Sequence, residues 1–225
     1  MTDSAHQNRC VIGVDVGGTK VAAGLVNESG ELSRSVRVPM NSRGTAAEGF
    51  AAVTSVLDNL LQTRRRDKSR TSIGVCAPGP LDPRTGVVLN PPNVPCWKDF
   101  PLVAEIQQRY GMMARLDNDA NAAALAESLW GAGRGHRNVF YVCIGTGIGS
   151  GVVFDGRIFH GRTGSAAEGG HVSIDYRGPA CNCGKRGCIE ALASGTAIAR
   201  RAREAAATDE KAGARLAAIL NESVR

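Results

Sequence analysis

The sequence predicts an α/β protein built from two related lobes. Two observations carry that prediction. A strand, a glycine-rich turn and a second strand occur twice, at residues 14–26 and again at residues 142–154. Apolar periods of 2 and of 3.6 residues alternate along the rest of the chain, the mark of mixed strands and helices. A third observation bears on chemistry: one histidine and three cysteines crowd together between His171 and Cys188. At 225 residues the chain suits one large domain or two modest ones.

The elements follow in order. The first meander ends at the turn signal Asn27-Glu28-Ser29-Gly30 and leads into a further strand. Phe50, Val53, Leu57, Leu60 and Leu61 recur at helical spacing. A strand is expected at Ile73-Gly74-Val75-Cys76-Ala77, stopped by Pro78-Gly79-Pro80. Val87-Val88-Leu89 reads as a short strand before the loop at residues 90–97. Leu102, Val103, Ile106 and Tyr110 mark another helix, and residues 114–116 another strand. Asp117-Asn118-Asp119 then opens an alanine-rich helix over residues 120–130. The glycines at 131–135 end it and mark the expected boundary between a first lobe, residues 1–131, and a second, residues 132–225. In the second lobe the repeated meander ends at Asp155-Gly156. After the cysteine loop come two helical patterns, roughly residues 189–207 and 209–224. No counterparts of the later strands of the first lobe follow, so the second lobe is expected to be incomplete.

Composition narrows the function. No segment approaches the apolar length of a membrane span, and residues 1–9 are polar, which predicts a cytoplasmic protein. Seven cysteines, three of them within eight positions, favour a metal over disulfides in a reducing compartment. The net charge of +6 is spread among acidic residues, and aromatic residues make up only 4% of the chain. The densest basic patch, residues 64–70, follows a helical pattern and reads as a solvated helix end. Nucleic acid is therefore not an expected partner.

Four motifs carry chemistry. His171, Cys181, Cys183 and Cys188 supply one imidazole and three thiolates, the full ligand set of a structural, tetrahedral zinc site. Glu168 and Glu190 flank the cluster, although zinc does not require them. Rigid acceptors of this kind suit a polyhydroxylated ligand, and a zinc-bound His171 keeps one ring nitrogen for a hydroxyl. Asp15-Val16-Gly17-Gly18-Thr19-Lys20 sets a carboxylate at a strand end before a glycine turn. Backbone N–H groups there can approach a phosphate, Thr19 and Lys20 add donors, and Asp15 can orient Mg²⁺ through water. An ordinary glycine hairpin is the plainer alternative, and the Walker A spacing is absent. Residues 145–151, beginning Gly145-Thr146-Gly147, mimic a dinucleotide fingerprint, but a strand rather than a helix is expected next, so they read as a second phosphate loop. Asn118-Asp119 reads locally as a helix N-cap. Beside two phosphate loops, Asp119 reads as a general base for phosphoryl transfer, kept ionised by the positive helix end.

In this order the motifs resemble the ROK family of sugar kinases and sugar-responsive repressors. The likeness also draws on Ala77-Pro78-Gly79-Pro80, Asn90-Pro91-Pro92-Asn93, Glu168-Gly169-Gly170-His171 and the loop Cys181-Asn182-Cys183-Gly184 through Cys188. It implies an actin-like ATPase (ribonuclease H-like) fold of duplicated lobes, with the sugar in the cleft between them. It implies ATP with Mg²⁺, structural Zn²⁺, and Asp119 as the base toward the sugar 6-hydroxyl. Gly79, Asn93, Asn118, Glu168, His171 and Glu190 would contact the sugar, and the protein would be a homodimer. The loop at 90–97 looks most like that of bacterial glucokinases, which makes glucose the first substrate. Kinases of the family continue well past the position of Arg225, completing the second lobe. Three other expectations stand beside the kinase: a sugar-binding regulator without turnover, an inactive truncated homologue of the kinases, and a zinc-dependent assembly module. Regulators of this family carry a helix-turn-helix ahead of the first strand, and only nine residues precede Cys10.

Overall fold

The computed structural model describes residues 10–62 and 71–222. The basic patch at 64–70, the polar leader at 1–9 and the last residues of the final helical pattern lie outside them. The chain forms two compact units: Met1–Val139 with Gly151–Ala166, and Phe140–Ser150 with Ala167–Arg225.

The first unit is organised by alternation. In β1 (Cys10–Val16), Ile12, Val14 and Val16 all point into the core, as a period of two requires. β1 pairs antiparallel with β2 (Lys20–Asn27), and β2 with β3 (Leu32–Pro39). α1 (Ala46–Gln62) follows, and its Val53, Val56, Leu57 and Leu60 are fully buried. It starts at a capping box: Thr45 N–H donates to Glu48 Oε2 at 2.6 Å and Glu48 N–H to Thr45 Oγ1 at 3.2 Å. β4 (Ile73–Ala77) returns parallel to β1. The short ribbon of β5 (Leu81–Asp82) and β6 (Val87–Val88) precedes α2 (Leu102–Tyr110). β7 (Ala114–Asn118) then lies parallel to β4, completing a sheet of order β3-β2-β1-β4-β7. The loop at 90–97 is pinned by Trp97, which is fully buried, stacks on Phe100 at 5.0 Å and donates its indole N–H to Ala46 O.

α3 (Asp119–Leu129) leaves directly from β7. The expected lobe boundary at 131 falls inside the first unit. Gly131 and Gly133 N–H both donate to Glu127 O, Ala132 N–H donates to the Glu127 carboxylate, and the Trp130 indole reaches Glu28 O. The glycine segment thus folds back over the end of α3 rather than leaving the unit. β8 (Asn138–Ile144), β9 (Ile148–Phe154) and β10 (Arg157–Ile158) form a three-stranded sheet of order β10-β9-β8.

The second unit contains the turn between β8 and β9, a 3-10 turn at Gly169–His171, and three helices. One helix was expected over 189–207, and two are found, α4 (Ile189–Ala193) and α5 (Gly195–Thr208). The break is Ser194, held extended at ψ 163°, whose hydroxyl caps α5 by accepting the Ala197 N–H. α6 (Glu210–Glu222) packs along α5. Among the described residues no helix is long and apolar enough to cross a membrane.

Candidate functional site

In the first unit, register assembles the candidate groups. Across the parallel strands, Asp15 of β1 is paired with Cys76 of β4, which is paired with Asp117 of β7. Ligands in open α/β sheets gather at such carboxyl ends of strands. Asp119 follows as the first residue of α3, while Asn118 is its cap, accepting the Ala120 N–H at 2.9 Å and the Asn121 N–H at 3.3 Å.

The helix end does not govern Asp119 as expected from the sequence. Burial lifts its carboxyl above the usual range, and the negative charge of Asp15 adds to the rise. The Ala120 N–H, which donates to Asp119 Oδ1 at 2.8 Å, pulls the other way without prevailing. Loss of water opposes charge over the whole carboxylate, whereas the helix end acts through one close donor. Cys76 shows the same local field. Its thiol, 3.7 Å from Asp15 Oδ1, is pushed up to about 12 by burial and then by the charges of Asp15 and Asp119.

The glycines matter here for close approach. A Cβ on Gly18 would sit 2.5 Å from the carbonyl oxygen of Asn93, so the first glycine turn packs directly on the loop at 90–97. The position of a Cβ on Gly79 is 3.6 Å from the Asn118 amide nitrogen. Structure therefore brings together Gly18 with Asn93, Gly79 with Asn118, and Asp15 with Asp119. Gly17 N–H donates to Lys20 O across the turn, leaving Thr19 and Lys20 exposed.

Sequence reasoning missed the support beneath Asn118 and Asp119. Asp117 Oδ1 accepts the Asn118 N–H at 2.8 Å and the buried Asn121 amide at 3.0 Å, and Oδ2 meets His160 Nε2 at 2.7 Å. The Asn121 link has a local signal, four residues along a helix start. The His160 link, 43 residues away, has none.

The second unit holds the other candidates. His171 Nδ1 lies 3.6 Å from Cys181 Sγ, Cys183 Sγ lies 3.6 Å from Cys188 Sγ, and all four ligand atoms fall within 4.8 Å of one another. Zinc at its usual bond lengths puts ligands about 3.5–3.8 Å apart along a tetrahedral edge, so the donor set fits in chemistry and these two 3.6 Å pairs fit in spacing. Local backbone builds the cluster. Gly184 and Gly187 take φ of 88° and 63°, left-handed conformations that glycine adopts without strain. Gly187 N–H donates to Pro179 O and Cys181 N–H to Lys185 O, closing the loop on itself. Burial and the neighbouring sulfurs push the Cys188 thiol up to about 11, while the backbone N–H of Lys185 lowers that of exposed Cys183. A bound cation would draw every thiol toward thiolate.

His171 is carried on the 3-10 turn, with exposed Glu168 just ahead of it and its N–H donated to Glu168 O. Gly169 N–H donates to Ser150 Oγ, and Ser150 Oγ to Ala167 O, tying this turn to the start of β9. Glu190 is not simply an outward acceptor. Its Oε2 accepts the Ile148 N–H at 2.8 Å, and Oε1 lies 4.0 Å from His171 Nδ1. The turn carrying Gly145, Thr146 and Gly147 runs directly into β9, so no helix follows it.

The chain has many relatives among known proteins. It is 42% identical to a glucokinase of Thermotoga maritima over 86% of its own length and 60% of that protein's. A ROK family glucokinase from Streptomyces griseus, solved with glucose and AMPPNP, superposes with a TM-score of 0.74 at 37% identity, covering 90% of this chain and 62% of that one. A ROK hexokinase from Thermus thermophilus gives a TM-score of 0.74 at 40% identity, over 87% of this chain and 64% of that one. This chain thus spans about 60% of the length of the curated relatives that it matches. The mixed α/β fold is the actin-like ATPase fold of these sugar kinases. With the ROK family model matching residues 11–223, the chain belongs to the ROK family.

Proposed function

We propose that the chain carries the phosphoryl-transfer site of an ATP-dependent hexose kinase, with glucose as first substrate and the 6-hydroxyl as acceptor. One observation supports this above the others: Asp119 stands at the head of α3, reachable from solvent, with Asp15 in its electrostatic field and its neighbour Asn118 against Gly79. A carboxylate whose affinity for protons is raised is the stronger base once ionised. In this role Asp119 accepts the proton of the sugar hydroxyl as that oxygen attacks the terminal phosphorus of ATP and the bond from that phosphorus to the bridging oxygen breaks, releasing ADP. Asp117, by holding Asn121, His160 and the Asn118 N–H, keeps the strand-to-helix corner in place.

The turn at Asp15, Gly17, Gly18, Thr19 and Lys20 and the turn at Gly145, Thr146 and Gly147 bind the phosphates of ATP, with Asp15 orienting Mg²⁺ through water. Gly79, Asn93 and Asn118 contact the sugar, as do Glu168, His171 and Glu190. His171, Cys181, Cys183 and Cys188 hold a structural zinc, which supplies rigidity rather than chemistry. With Nδ1 facing the sulfurs, Nε2 of His171 is the nitrogen left for a hydroxyl. The active form is a homodimer.

The test is a coupled ADP-release assay over a panel of hexoses, with sugar binding followed by calorimetry. Glucose should give the highest turnover, and Asp119→Asn should cut it about 10²–10⁴-fold while glucose still binds. Full activity in that variant would remove Asp119 from the mechanism. Glucose binding by the wild-type chain without any ADP release would mark a sugar-binding regulator instead.

A further inference from the structure

The second unit contains a set of contacts between the turn after β8 and the helices that follow the cysteine loop. The turn at 145–149 is gripped from the junction of α4 and α5. Gly195 N–H donates to Gly145 O at 2.8 Å. The Thr196 hydroxyl donates to Thr146 O at 2.6 Å and lies 3.0 Å from Ser194 Oγ. Glu190 Oε2 accepts the Ile148 N–H at 2.8 Å. Gly147 packs so closely on the Glu190 carboxylate that a Cβ there would collide with it. A glycine turn binds phosphate through the aim of its backbone amides, and clamping its carbonyls from behind fixes that aim.

The same junction is tied to the metal cluster. Glu190 touches the turn with one oxygen and lies 4.0 Å from His171 Nδ1 with the other. The ligand Cys188 is the residue on which α4 begins, and α4 ends at Ser194, where α5 begins. Cys188, Glu190 and Thr196 therefore share one short, continuous stretch of chain, with a metal ligand at one end and the turn's clamp at the other.

We propose that Glu190 and Thr196 are positioning residues for the turn at 145–149, so that closing the His171, Cys181, Cys183 and Cys188 cluster on a metal sets the affinity for a nucleotide's phosphates. The inference rests on the kinase function proposed above, and it assigns the metal a second task on the nucleotide side of the reaction. Thr196 is the sharper probe, because it touches neither the metal ligands nor any proposed sugar contact. Thr196→Val keeps the side-chain shape and removes the hydroxyl, and Thr196→Ser keeps the hydroxyl.

The experiment measures Mg·ADP and glucose affinities by calorimetry on the zinc-loaded full chain, with hydrogen exchange at the Ile148 amide as an independent readout. Thr196→Val should weaken Mg·ADP about five- to tenfold, the usual scale of one lost hydrogen bond, and leave glucose affinity within twofold. Thr196→Ser should recover the nucleotide. Removing the metal with a chelator should weaken Mg·ADP and speed exchange at Ile148. Wild-type nucleotide affinity in Thr196→Val, or in the stripped chain, overturns the inference while the kinase proposal stands. An equal loss of both ligands that serine fails to rescue also overturns it, since that is general damage to the unit. Should the wild-type chain bind no nucleotide, the kinase proposal falls by itself. Exchange at Ile148 then decides the coupling: faster exchange after stripping supports it, and unchanged exchange overturns it.

Discussion

Asp119 lies under two opposing influences, and their balance has a consequence for stability. Its raised carboxyl means that the folded chain binds a proton more readily there than the unfolded chain does. Stability then falls as pH rises from the unfolded carboxyl range, near 4, through the raised folded value, and the cost is complete above it. Asp119→Asn removes the ionisable group while keeping an oxygen for the Ala120 N–H. The variant should therefore melt above wild type at pH 7, with the gap closing as pH falls toward 4. A gap that is constant across that range would mean that ionisation of Asp119 is not its source. The same residue would then be costly to the fold and necessary to the chemistry, a familiar trade at functional sites. Gly18 is another residue whose identity the structure explains. The atom that a Cβ would meet is a backbone carbonyl, which cannot rotate away. Gly18→Ala should cost about 1–3 kcal/mol through overpacking, read from the denaturant midpoint, and should weaken glucose binding as the loop at 90–97 is displaced. An alanine variant with wild-type stability and affinity would show that the two loops move independently.

At the level of elements, local sequence is a good guide wherever packing follows period. Ile12, Val14 and Val16 alternate and β1 forms, and Val53, Leu57, Leu60 and Leu61 fall on one face and α1 forms. Thr45 and Glu48 have the spacing of a capping box, a signal present in the sequence that goes unused in placing the start of α1. The single helix expected over 189–207 fails because Ser194-Gly195 combines a residue that competes for backbone N–H groups with one of low helix propensity. The loop at 90–97 has no period to read. It is ordered by buried Pro91, Val94 and Trp97 and by Cys96 N–H donating to Ser42 O; Trp97 is the largest of these side chains, so Trp97→Ala should cost about 3–5 kcal/mol and loosen the segment that carries Asn93. Unchanged thermal stability in that variant would shift the anchoring role to Phe100.

At the level of the whole molecule, the two units are stabilised in different ways. The first rests on a continuous apolar core that includes Ile12, Leu57, Ile73, Trp97 and Ile106. In the second, large apolar side chains such as Ile174 and Ile198 are exposed, and the cysteine loop closes on a ligand cluster rather than on a core. Structural zinc in small fingers contributes on the order of 10–16 kcal/mol of binding free energy. Chelation should therefore speed hydrogen exchange throughout residues 171–188 while exchange in β1 and β4 stays slow. A uniform change in both units, or none in either, would argue against a metal that braces only the second.

The sequence by itself determined most of the strands and helices, the two glycine turns and the four-ligand cluster, because each depends on residues that are close along the chain. Tertiary structure alone decided which distant groups meet: His160 with Asp117, Gly18 with Asn93, and Glu190 with Ile148. It also decided the direction of the shift at Asp119, since burial is set by everything packed around a carboxyl and not by its neighbours in sequence.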